Sequence, residues 1–242
     1  MSDPLAALLD LPGVTDAVTA ARDAVAQVHR HQTNRRGWPA TAAEASVRAA
    51  RASAALDGGP TDIPAEGQVS DPVLAGALRA AEALGPLLPT WERAPLQALA
   101  RLHVLAAADL TEPDALGRPR PGAGQRLELL ADLVAGGTRV PGPVVTAVVH
   151  GELLALRPFG SADGVIARAA ARLSMIATGL DPKGLSVPEV FYLRRADRYR
   201  ALADGFATGD RDALAAWIVF ACEGITDGAR EATSIADAAV TS

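Results

Sequence analysis

A single cysteine, Cys222, leaves no partner for an internal disulfide, and its place in the apolar run Trp217-Ile218-Val219-Phe220-Ala221-Cys222 reads as a small buried thiol. No window approaches ~18 uninterrupted apolar residues, so no membrane span is expected. The N-terminus lacks a basic region followed by an apolar stretch, and no secretory signal is visible. Basic charge is also short: 23 Lys and Arg against 28 Asp and Glu give a net charge of -5 and a pI near 5.4. A phosphate-backbone binder needs a basic stripe to release counterions, so nucleic acid is excluded as a partner along with the membrane. A soluble, cytoplasmic protein is the expectation. Aromatic residues make up only 4% and β-branched runs are few, whereas alanine is abundant. Alanine loses no side-chain entropy in a helix, and the composition therefore favours an all-α fold. At 242 residues the chain is long enough to bury ~70% of the surface its unfolded form exposes.

Residues 14 to 30 place Val14, Ala17, Val18, Ala21, Val25 and Val28 at three- and four-residue intervals, with Arg22, Asp23 and Arg30 off that face: one amphipathic helix. Thr41 and Glu44 have capping-box spacing and predict a second helix running to about Leu56, where Asp57-Gly58-Gly59-Pro60 stops it. Gly59 to Ser70 has no period and predicts an exposed connection. Helices are expected over 71–84 and 94–109, the second carrying His103 among Leu96, Leu99, Leu102, Val104 and Leu105. After a break at 116–122, helices follow over 124–134 and from Pro141-Pro143 to about Leu156. A tight turn over 158–164 leads into a helix over 165–177, and the last two helices, about 187–207 and 210–238, flank Thr208-Gly209-Asp210. No repeat, low-complexity segment or strand interrupts this pattern. It describes one helical domain with residues 1–40 as an N-terminal extension packed on it.

The helix–turn–helix over 143–177 holds the candidate site. A turn that opens a helix presents free N–H groups and the positive end of the dipole to an anion, and Arg168, one turn inside, reaches back toward it. A plain helix connection with a solvated arginine is the competing reading. The string Arg157-Pro158-Phe159-Gly160-Ser161-Ala162-Asp163-Gly164-Val165-Ile166-Ala167-Arg168 resembles the Fic signature HPFx(D/E)GNGRxxR, matching at Pro158, Phe159, Gly164 and Arg168. Flanking segments are similar as well. They are His150-Gly151-Glu152-Leu153 before the signature, Leu99-Ala100-Arg101-Leu102-His103 earlier, and Tyr199-Arg200-Ala201-Leu202 through Trp217-Ile218-Val219-Phe220 after it. Arg118-Pro119-Arg120 stands where the family has its substrate-aligning flap, and Ser53-Ala54-Ala55-Leu56-Asp57-Gly58 resembles the inhibitory (S/T)xxxE(G/N) motif. The resemblance, to the Fic/Doc family of nucleotide-transferring proteins, spans about residues 41 to 235. It implies an all-helical Fic/Doc-type bundle over 41–242 with residues 1–40 as the N-terminal helical extension.

The departures decide the functional expectation. Where the family's histidine takes a proton from the target hydroxyl stands Arg157, whose guanidinium stays protonated through the physiological range and accepts none. The family's Mg²⁺-binding acid falls on Ser161, a poor ligand for a hard cation. Its asparagine is Asp163, a negative charge beside the anion site, and its first arginine is Val165. Loss of a general base alone forfeits ~10²–10⁴ in rate. No catalytic residue, cofactor or metal is therefore assigned. Arg157 and Arg168 remain as anion-binding candidates, and Ser53, Asp57 and Gly58 as an inhibitory-like motif. Asp57 either pairs with Arg168 or is a mobile surface aspartate at a helix end. His150, two turns before Arg157, is the one nearby candidate replacement base, although it and His103 read better as satisfied core histidines. The expectation is a non-catalytic binding or regulatory module acting through an unidentified protein partner, a homodimer being one arrangement. A divergent transferase of nucleotidyl or phosphate groups, its anion held by Arg157, Arg168 or a flap arginine, is the alternative.

Overall fold

The computed structural model describes residues 3–63 and 69–239; of the connection expected over 59–70, residues 64–68 lie outside the described residues. A 3₁₀ turn at Ala6–Asp10 leads into α1 (Val14–Arg30), α2 (Gln32–Arg36) and α3 (Trp38–Leu56). Then come α4 (Pro72–Glu82), α5 (Leu84–Arg93), α6 (Pro95–Ala106) and α7 (Gly124–Asp132). The second half holds α8 (Gly142–Leu156), α9 (Asp163–Ala177), α10 (Pro188–Arg194), α11 (Ala196–Phe206) and α12 (Arg211–Ala238). No strand occurs among the described residues, and no helix there is long and apolar enough to cross a membrane. The all-α class read from composition and periodicity is what the chain adopts.

α8 is the axis of the bundle. It is buried without interruption from Pro143 to Gly151, as a helix apolar on every side must be. Val144, Ala147 and Val148 pack with α1, α10, α11 and α12, around Trp217, Phe220 and Ile225. Val145, Val149 and Leu153 pack with the α4–α7 half and with Ile166, Ala170 and Leu173 of α9. Two cores thus meet on α8, and the turn that carries the candidate site leaves its C-terminal end. Cys222 lies in the first core, where burial pushes its thiol up to about 12.

Three expectations are corrected. Thr41 caps nothing: α3 begins at Trp38 with Pro39 in its first turn, where a missing N–H costs no hydrogen bond. The buried Thr41 hydroxyl donates instead to Asn34 Oδ1 at 2.7 Å, and Glu44 pairs with Arg48 one turn on. α5 was not anticipated because Pro86 and Pro89 mask its period, yet Leu84, Leu87 and Trp91 form a buried stripe at helical spacing. The single helix expected over 187–207 is broken at Arg195 (φ -130°, ψ 37°). Seven residues along a straight helix rise ~10 Å, whereas the break lets the Tyr192 and Tyr199 rings stack at 5.0 Å.

The N-terminal helices are tied to the rest by polar contacts as well as by the apolar face of α1. His29 Nε2 lies 2.9 Å from Asp181 Oδ1, and buried Asp181 accepts the Leu185 and Ser186 N–H groups. Burial raises the Asp181 carboxyl, but the His29 contact and the two N–H donors outweigh it and hold the group below its ordinary value. A carboxyl depressed in the folded state contributes stability that is present above its unfolded pKa of ~3.9 and lost as pH falls through the folded value. Asp181→Asn is expected to lower unfolding free energy by ~3 kcal/mol at pH 7, with the gap to the unaltered chain narrowing below pH ~4. Urea melts of both proteins across pH 3 to 8 check this; a gap independent of pH contradicts it.

Candidate functional site

α8 ends at Arg157, which takes a left-handed conformation (φ 44°), and Ala162 (φ 52°) turns the chain into α9. Both are strained positions for residues with a Cβ, so the turn is over-determined by its contacts. Pro158 and Phe159 are buried beneath it, and the Arg120 N–H donates to Pro158 O at 2.7 Å, seating the 118–120 segment along the turn. The Arg120 guanidinium donates to the carbonyls of Leu156 and Arg157.

Asp163, the first residue of α9, folds its carboxylate back over the turn. Oδ1 accepts the Phe159 N–H at 2.9 Å and Oδ2 the Gly160 N–H at 2.7 Å. Burial holds this carboxyl above its ordinary value, and the two N–H donors and the fields of Arg120 and Arg157 offset only part of that rise. The turn N–H groups that an incoming anion would use are thus taken by a carboxylate of the chain itself.

Ser161 is engaged by His103. Its Oγ lies 2.9 Å from His103 Nε2, and His103 Nδ1 accepts the Gly117 N–H at 2.9 Å. An Nδ1 that accepts assigns the ring proton to Nε2, which donates to Ser161. The His103 ring stacks on Phe159 at 4.3 Å, and burial lowers its pKa. A hard cation at this turn would meet one committed hydroxyl and one committed carboxylate, and the described residues hold no cluster of three His, Cys, Asp or Glu that would ligate it. The Mg²⁺ implied by the signature does not fit these residues.

Arg168 is only 2% exposed. Its Nε donates to Ser53 Oγ at 2.8 Å and its Nη2 to Ser53 O at 2.9 Å. Nη2 also lies 3.0 Å from Asp57 Oδ1, while Nη1 donates to Tyr199 Oη at 3.3 Å. Burial works against this charge, but Asp57 and Tyr199 outweigh it and raise the pKa. Ser53 and Asp57, the last turn and C-cap of α3, thus hold the arginine of α9; Gly58 follows with φ 88° and makes the exit. A methyl on Gly164 would lie 2.5 Å from Asp57 Oδ1, so only glycine admits the carboxylate there.

His150 does not reach the turn. It is buried, its Nε2 is 2.8 Å from Tyr199 Oη, and Tyr192, Tyr199 and Trp217 surround its ring. Burial and then the Arg168 charge push its pKa down to about 3, and burial pushes Tyr199 up to about 12. Tyr199 is the site residue that sequence reasoning did not single out; its place in the Tyr199-Arg200-Ala201-Leu202 segment was the available signal.

A cleft of about 720 Å³ opens between the turn, α3 and α11, lined among others by Asp57, Arg157, Asp163, Arg168, Arg200 and Asp204. Its three cations and three anions sum to zero.

No family model matches the sequence, and no curated protein does. The structure does find counterparts. A Fic family protein from Desulfovibrio desulfuricans G20 matches with a TM-score of 0.69 at 20% identity, over 92% of this chain and 74% of that one. Fic-1 from C. elegans matches with a TM-score of 0.75 at 15% identity, over 96% and 73%. The likeness is one of fold, and this chain has the all-helical Fic fold.

Removing one partner of a buried pair costs ~3–5 kcal/mol, but Asp57 is 28% exposed and Arg168 keeps its other acceptors. Asp57→Ala is therefore expected to cost ~2–3 kcal/mol. Gly164→Ala is expected to cost a similar amount, and the double variant clearly less than the sum, because both changes break the same contact. Chemical denaturation of the four proteins measures the cycle; strict additivity would show the methyl and the carboxylate to be independent.

Proposed function

We propose that this Fic-fold chain is a non-catalytic module that acts by binding, in a regulatory role through a protein partner. The observation that carries the reading is the Asp163 carboxylate on the Phe159 and Gly160 N–H groups, which fills with an internal anion the positions a transferred phosphate would need. Three further observations support it. Arg157 stays a cation and takes up no proton. Ser161 is committed to His103. His150, buried behind the cleft, has its pKa pushed down to about 3, far from the operating range a general base requires. In the same reading, Ser53, Asp57 and Gly58 lock Arg168 to α3, so the one signature arginine kept in the sequence serves the fold and not a ligand. The exposed surface of the bundle is where a partner, a second copy included, would dock.

A second reading, a transferase with another phosphate-containing donor, is favoured by one feature: the Arg157 side chain faces the cleft with no ion pair or hydrogen bond among the described residues.

Incubation with α-labelled ATP, then with a panel of other labelled nucleoside di- and triphosphates, in the presence of cell lysate, distinguishes the two. No labelled product is expected, and Arg157→His alone is expected to restore none, since Asp163 still occupies the turn. A labelled client that disappears with Arg157→Ala would establish the transferase instead.

A further inference from the structure

Six charged side chains line the cleft, and four are already committed. Arg168 holds Asp57, and Asp163 holds two turn N–H groups. Arg200 donates to Leu56 O at 3.2 Å and to Asp197 at 3.3 Å. The two left over are of opposite sign. Arg157, at the end of α8, and Asp204, on α11, both line the cleft, and neither side chain makes an ion pair or hydrogen bond among the described residues. Leu56, Val73, Leu110 and Leu154 line the same cleft and supply apolar surface.

Resting on the non-transferase reading, we infer that the cleft binds a small zwitterion with an apolar body, a short peptide with both termini free or an amino acid of the same kind, its carboxylate on Arg157 and its ammonium on Asp204. The size fits: about 720 Å³ lies within the ~300–1,000 Å³ of small-molecule sites and exceeds what a dipeptide needs. The charge fits as well. A lining that sums to zero offers a polyanion no excess attraction, and Asp163 and Asp204 repel it, whereas one free cation and one free anion match a ligand that carries one of each. Arginine suits the carboxylate end because its planar fork donates two parallel N–H bonds. A ligand lacking either charge leaves one cleft charge unmatched, which makes the preference a matter of both ends at once.

Isothermal titration of the full chain with leucyl-leucine, N-acetyl-leucyl-leucine, leucyl-leucine amide, free leucine and Mg-ATP tests this. Leucyl-leucine or leucine is expected to bind, and each end-blocked dipeptide at least about tenfold more weakly, a ratio worth about 1.4 kcal/mol. Arg157→Gln is expected to weaken the free dipeptide and erase its advantage over the amide. Asp204→Asn is expected to erase its advantage over the N-acetyl form. Circular dichroism confirms that both surface variants fold. Absence of binding by leucine and leucyl-leucine to 10 mM, or equal affinity for free and blocked forms, overturns the inference. If Mg-ATP also fails to bind in that case, the non-transferase reading stands without it; if Mg-ATP binds at micromolar concentration, both fall.

Discussion

A guanidinium buried to 2% exposure inside a helical bundle has to find acceptors for its charge and its five N–H donors, because an unpaired buried cation costs several kcal/mol. Arg168 finds them on two other helices: Ser53 and Asp57 at the end of α3, and Tyr199 on α11. The geometry of the cleft follows from this. α3 has to end beside the start of α9, Gly164 has to lack a side chain so that Asp57 fits, and Tyr199 has to turn inward, where it meets His150. The break at Arg195 that separates α10 from α11 lets the tyrosine do so.

The same requirement shapes the chemistry. Once the arginine of α9 is paired with Asp57, and the turn N–H groups with Asp163, Arg157 is the one cation lining the cleft whose side chain makes no ion pair or hydrogen bond among the described residues. Electrostatic stabilisation of developing charge is usually the largest catalytic contribution, and it requires donors aimed at the ligand and not at the protein. Here the donors are turned inward. The turn is held by contacts within the chain: the Arg120 guanidinium donates to the Leu156 and Arg157 carbonyls, His103 stacks on Phe159, and Asp163 accepts the Phe159 and Gly160 N–H groups.

Much of this was legible in the sequence. Helix positions followed from three- and four-residue apolar spacing, and the stops at Asp57-Gly58-Gly59 and Thr208-Gly209 from residues that tolerate or favour chain reversal. The resemblance at Pro158, Phe159, Gly164 and Arg168 drew its weight from the flanking segments and from the order and spacing of the helices around it. What remained hidden was direction. Asp163 reads in sequence as a charge beside an anion site, but only the fold shows its two oxygens turned back onto the N–H groups of residues three and four positions earlier. His150 lies two turns before Arg157 and so reads as a neighbour of the site, yet the burial of α8 on all sides sends it into the core. The prolines of α5 and the kink at Arg195 are tertiary outcomes, settled by Trp91 packing and by the Tyr192–Tyr199 stack.

The claim on which the functional account stands is that the turn already holds its anion. The most direct measurement follows the backbone amide resonances of Phe159 and Gly160 by nitrogen-15 NMR while inorganic pyrophosphate is added. With Asp163 in place, both resonances are expected to stay where they are at millimolar pyrophosphate. Saturable shifts of these two amides would mean that the external anion displaces the carboxylate, and would contradict the account.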